Sequence, residues 1–251
     1  MWPSIQRWRG VILIGTATAA IVWLALSGQL VLYIHPRYVV FTVIMAVITL
    51  VFVTASTLSR AAADHGEDDA PVGRGPRAIS LVGLVLAGLT VVGMLVLPPA
   101  TLSSATADQR DINSTTISAG VQNLDEVSDG TAESFAALTV VDWSSLLRQT
   151  NDLSFYSGKT ANVTGFITPD ASDPDNVFYV SRFFITCCAV DAQPAGVPVY
   201  YPGWADTMAV DDWVHVTGEF TTNPSTLSAQ PLALNPSEVT AVEQPAEPYL
   251  Y

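Results

Sequence analysis

The chain has 251 residues, 49% of them apolar and only 13% charged, with a net charge of −13. An average globular chain is roughly 25% charged, so the composition excludes an ordinary charge-rich soluble protein and points to a membrane portion. Residues 1–100 hold six Arg against four acids, and residues 101–251 hold four basic groups against nineteen acids; the acidic part repels nucleic acid and anionic lipid.

Three apolar runs open the chain: Val11–Ile34, Tyr38–Leu58 and Ala78–Leu97. At a rise of 1.5 Å per residue, roughly 20 helical residues cross a hydrocarbon core, so three transmembrane helices are expected over 1–99. The first run is too long for the apolar part of a signal peptide, and no small-residue cleavage site follows it. Arg7 and Arg9 precede the first run, and Arg60, Arg74 and Arg77 separate the second from the third. Positive charge favours the cytoplasm, which predicts a cytoplasmic N-terminus, a multi-pass cell-membrane protein and an extracytoplasmic C-terminal half. None of the three runs contains Asp, Glu, Lys or Arg. A conducting pathway needs such groups, so the spans are expected to anchor the chain in the lipid bilayer and dock against another membrane protein.

Between the first two runs, Pro36 restricts the residue before it and is expected to stop the first helix. His35 and Arg37 then fall at the outer surface, either as interfacial anchors or as contacts for a partner subunit or a passing ion. Residues 100–134 follow as an expected flexible tether, because Ala100–Ala132 is rich in Ser, Thr, Ala, Asp and Gly with few large apolar residues. In Val140–Arg148, Trp143, Leu146 and Leu147 share one helical face and Asp142 is expected as the N-cap.

Residues 135–251 read as a small all-β domain. Strands are expected at Lys159–Ile167, Val177–Thr186, Val197–Tyr201 and Trp213–Phe220, with one or two more in Leu232–Val242. Pro198 marks its strand as an edge. Five strands after a helix fit an OB-like barrel, with Gly165 and Gly218 allowing sharp coiling; a β-sandwich fits the pattern nearly as well. The acidity argues against nucleic-acid binding by such a fold.

Both cysteines stand side by side in Arg182-Phe183-Phe184-Ile185-Thr186-Cys187-Cys188-Ala189-Val190-Asp191. Adjacent Cα atoms lie about 3.8 Å apart, below the usual disulfide range, so a bond between them would be strained. Three readings stay open: structural thiols, one in the core and one at the surface; a soft-metal site of Cys187 and/or Cys188 with Asp191 and His215; and a strained redox pair. With three histidines in the chain, a closed four-ligand zinc site is hard to assemble. Hydrolase, metalloprotease and phosphate-loop motifs are missing from the sequence, so no enzyme and no catalytic residue is expected. Asp173/Asp175 and Asp211-Asp212 read as solvated turns.

The stretch Ser27-Gly28-Gln29-Leu30 with Tyr33-Ile34-His35-Pro36-Arg37, the Cys-Cys-Ala-Val-Asp-Ala run, Val214-His215-Val216-Thr217-Gly218 and the terminal Pro248-Tyr249-Leu250-Tyr251 resemble YcgQ-like bacterial membrane proteins. That resemblance covers most of the chain outside 100–132. It implies an accessory subunit of a two-component permease, a separate multi-span permease as partner, and a divalent metal such as zinc as cargo. Family members often carry a His-rich loop after the second helix, whereas Ala61–Pro71 here holds only His65 among four acids. The function expected is thus an accessory membrane subunit whose outer β domain binds or gates a solute or divalent metal. The alternative is a stand-alone, membrane-tethered thiol or metal-binding envelope protein.

Overall fold

The computed structural model describes residues 2–63, 88–89, 93, 101–114 and 131–251. It divides into two compact units, Met1–Ala100 and Thr101–Tyr251.

In the first unit, α1 spans Trp2–Leu26 and α2 spans Pro36–Ala63, with a 3-10 turn at Gln29–Leu32 between them. The expected first span is cut short. Helix α1 stops at Leu26 because Gly28 takes a left-handed φ of 72°, which a helix cannot continue through and which glycine adopts without a Cβ clash. Pro36 begins α2 rather than ending α1, at the first helical position, where its missing N–H costs nothing. Among the described residues one stretch, Pro36–Ser56, is long and apolar enough to cross a membrane, with a mean hydropathy of 2.6. The apolar part of α1, Leu13–Leu26, is shorter. The third expected span lies outside the described residues except for Gly88, Leu89 and Gly93. Of the three expected transmembrane helices, one is a candidate among the described residues. Its surface suits lipid: Val40, Phe41, Val51 and Phe52 are exposed.

The second unit is built on six strands, β1 (Thr160–Pro169), β2 (Val177–Phe184), β3 (Gln193–Tyr200), β4 (Trp213–Thr222), β5 (Leu232–Ala241) and β6 (Tyr249–Leu250). They form one mixed sheet in the order β1-β4-β5-β3-β2-β6, and β1 also pairs with β2. The pairings of the first five strands thus form a circuit, and a two-sheet sandwich is set aside. Strand β1 changes partner midway. Thr160–Phe166 pairs with β4, and Phe166–Pro169 pairs with β2. At the switch, a Cβ on Gly165 would lie 2.4 Å from the Ser181 carbonyl oxygen, so only glycine fits. Gly218 marks a register shift against β5, and a Cβ there would lie 2.5 Å from the Asn235 carbonyl oxygen.

Pro198 does not mark an edge, because β3 lies between β2 and β5. On its β5 side it pairs at Val199↔Leu234. Asn113 serves the neighbouring backbone instead. Its Nδ2 donates to the Gly196 carbonyl, and the Gly196 N–H donates to its Oδ1, both at 2.8 Å. The Asn113 N–H donates to the Pro194 carbonyl at 3.0 Å. Residues 101–114, expected in the tether, are in this way part of the β domain. The Leu102 N–H also donates to the Tyr249 hydroxyl, and the Ser104 N–H and hydroxyl donate to the Asp211 carboxylate. Of the rest of the expected tether, residues 100 and 115–130 lie outside the described residues, and 131–134 are not a tether but lead into a short helix, Ala132–Ala136.

Helix α3, Val140–Gln149, is capped by Thr139 rather than by Asp142. The Asp142 N–H donates to Thr139 Oγ1, and the Thr139 N–H donates to the Asp142 carboxylate, a capping box that satisfies two donors reciprocally. The helix buries Trp143 and Leu146 fully. Phe220 lies 5.1 Å from the Trp143 ring and 5.0 Å from Tyr156, centroid to centroid, which joins helix and sheet in one core.

Candidate metal centre

Residues 185–192 connect β2 to β3. The connection is clamped at its base, where Phe184 pairs with Gln193 and the Ile185 N–H donates to the Leu250 carbonyl at 2.9 Å. Ile185 and Ala192 are fully buried, so the six residues between them project from a fixed stem. In an extended strand, Cys187 and Cys188 would face opposite sides. Here Cys188 starts a 3-10 turn over Ala189–Asp191, and Asp191 folds back onto the turn. Its Oδ2 accepts the Cys187 N–H at 2.8 Å, and its Oδ1 accepts the Thr186 and Cys188 N–H groups at 3.3 Å each. One donor atom from each of Cys187, Cys188 and Asp191 lies within 4.8 Å of the others.

Both thiols are free, Cys187 exposed and Cys188 half-buried. A core thiol paired with a surface one is therefore not what the turn presents. The Cys187 thiol is held above the ordinary cysteine value, first by local desolvation, then by Cys188 and by the Asp191 carboxylate. Two vicinal sulfurs on one side of a turn form a chelate for a thiophilic ion once deprotonated.

The remaining expected site residues lie elsewhere. His215 sits on β4 opposite Thr164 of β1, and its Nδ1 is 2.8 Å from the Thr164 hydroxyl; it is not in the three-residue group. His35 is buried at the start of α2 rather than displayed at a surface. Its Nδ1 accepts the Arg37 N–H at 3.1 Å, the bond an N-cap side chain makes. Arg37 is exposed and lies over the Tyr38 ring at 5.9 Å.

Two features escaped the sequence reading. Arg110 donates from Nη2 to the Val190 carbonyl in the thiol turn at 3.1 Å, while its Nη1 is buried without an acceptor among the described residues. Nothing in the sequence links residue 110 to residue 190; only the ordered 101–114 segment does. Asp173 is not a solvated turn residue, since Asp170 and Asp173 are both buried. Asp170 accepts from the Tyr179 and Ser228 hydroxyls, and Asp173 accepts from Asn176 and Ser225. With these partners the pair ties two loops together. Asp175, Asp211 and Asp212 are exposed.

Fold and site together define a protein with an apolar helix of membrane-crossing length and a mixed β domain that displays a vicinal dithiol on a hairpin. The chain matches the DUF1980 N-terminal domain over residues 8–113 and the DUF1980 C-terminal domain over residues 128–251, and it belongs to that family. Comparison with curated proteins and with solved structures gives no match.

Proposed function

We propose that this chain is an accessory subunit of a multi-span membrane permease, holding a thiophilic metal ion at Cys187 and Cys188 on an extracytoplasmic domain. The observation that carries the reading is the convergence of both sulfurs and the Asp191 carboxylate within 4.8 Å on an exposed turn. An OB-like closed barrel is the finer fold we assign to the domain, supported by the circuit β1-β4-β5-β3-β2 with its return to β1. The multi-pass topology with the N-terminus inside rests on the three apolar runs and the arginine distribution. The permease role rests on the YcgQ-like motifs and on a candidate span that has no Asp, Glu, Lys or Arg after Arg37 to conduct an ion unaided.

Purification of the full chain in mild detergent tests both parts. The expected outcome is a co-purifying polytopic protein, together with stoichiometric metal that Cys187→Ser or Cys188→Ser removes. Metal on a lone chain would favour the stand-alone envelope protein, and a metal-free chain that binds none on reconstitution would remove the site.

A further inference from the structure

We propose that the dithiol turn is selective for a monovalent thiophilic ion held by two sulfurs, such as Cu(I), and is a poor zinc site. This rests on the metal-binding reading above and narrows it.

The argument is a donor count. Asp191 is the turn's internal clamp before it is a ligand. Both acceptor positions of its Oδ1 are taken by the Thr186 and Cys188 N–H groups, and its Oδ2 already accepts from Cys187. A carboxylate whose charge is spread over three N–H dipoles is a weakened metal donor, and pulling it onto an ion would loosen the turn that aligns the sulfurs. No further His, Cys, Asp or Glu among the described residues joins the group, and His215 Nδ1 is engaged by Thr164. Among the described residues the turn thus offers two strong donors. Zinc in a structural site takes four ligands, and hard divalent ions take six or more oxygens. A d10 monovalent ion is satisfied by two thiolates, and soft sulfur ligands select Cu(I).

Charge gives a second and independent argument. Binding releases two thiol protons to solvent and forms two metal–sulfur bonds, leaving a centre of −1 beside the Asp191 carboxylate. Arg110 reaches this turn through the Val190 carbonyl, and its Nη1 is buried with no acceptor among the described residues. A guanidinium in that state is suited to balance an anionic bis-thiolate complex. A divalent ion on the same two sulfurs would be neutral and would need further ligands from elsewhere.

The test uses the reduced full chain in detergent, without oxygen. Cu(I) as its acetonitrile complex, Ag(I) as a redox-inert analogue, and Zn(II) are each titrated against a chromophoric chelator. One Cu(I) or Ag(I) per chain is expected, with two sulfur neighbours by X-ray absorption and zinc lost to the chelator. Cys187→Ser and Cys188→Ser should each abolish stoichiometric binding. Asp191→Asn should weaken it about 10- to 100-fold, the range for a group that positions a ligand. Both cysteines lie in an exposed turn, and an unchanged circular dichroism spectrum checks that the variants fold. Tight zinc binding, with a tetrahedral spectrum for the Co(II) derivative, would overturn the selectivity and leave the metal site standing. Failure to bind any of the three ions would overturn both.

Discussion

At the scale of single residues, the thiol turn depends on Asp191. Its three accepted N–H bonds come from an exposed loop, where water can replace them, so their loss costs shape more than global stability. Asp191→Ala is expected to leave the thermal unfolding midpoint nearly unchanged while removing the convergence of the two sulfurs. The same carboxylate adds to the upward shift of the Cys187 thiol, behind desolvation and Cys188. Removing its charge favours the thiolate, so the Cys187 pKa falls. In Asp191→Asn the rate of alkylation by iodoacetamide should therefore reach half its plateau at a lower pH than in the parent, with faster reaction near neutrality. An unchanged profile would mean that the carboxylate does not act on the thiol. The sequence places Asp191 three residues after Cys188, a spacing that suits two ligands. The same interval also separates an N-cap from its N3 partner, and only the turn's backbone shows which use the chain makes of it. His215 illustrates the opposite case. It alternates cleanly within a strand, but whether a strand histidine meets cysteines depends on sheet order, which local pattern does not encode.

At the scale of elements, strand positions were legible because burial alternates with period two along β1 and β4. The end of the first helix is not legible in the sequence, because a hydropathy window averages over Gly28 and Gln29 and cannot register a left-handed φ. The cap of α3 was misplaced by three residues, since Thr139 and Asp142 are both good cap residues and only the reciprocal bonds distinguish them. Thr139→Ala should cost about 1 kcal/mol, the usual loss for an N-cap side chain, measured by urea unfolding of the second unit. Gly165→Ala should cost more. The added Cβ would meet the Ser181 carbonyl oxygen at 2.4 Å, and both groups belong to paired strands that have little freedom to part. Overpacking of this kind costs about 1–3 kcal/mol. A Gly165→Ala variant as stable as the parent would mean that the β1 partner switch is looser than the packing implies.

At the scale of the whole molecule, the main correction concerns where the β domain begins. Composition makes residues 100–134 look like one tether, because Ser, Thr, Ala and Asp cannot bury much surface on their own. The segment 101–114 is ordered by hydrogen bonds instead. Asn113 binds both backbone groups of Gly196, beside the place where β3 and β5 pair only at Val199↔Leu234. Ser104 engages Asp211, Leu102 engages Tyr249 near the C-terminus, and Arg110 engages the thiol turn. A fragment beginning at residue 131 would retain every strand but leave these partners unmet. Each partly buried group stranded in this way costs about 1–3 kcal/mol, and loss of the Asn113 amide uncovers backbone donors and acceptors of β3. The expected outcome is that residues 101–251 unfold cooperatively as a monomer. Residues 131–251 should unfold at a lower temperature and self-associate at high concentration by light scattering. Asn113→Ala within 101–251 separates the two causes: self-association without truncation would assign the effect to β3, whereas a monomer that merely melts earlier would assign it to the other contacts of the segment.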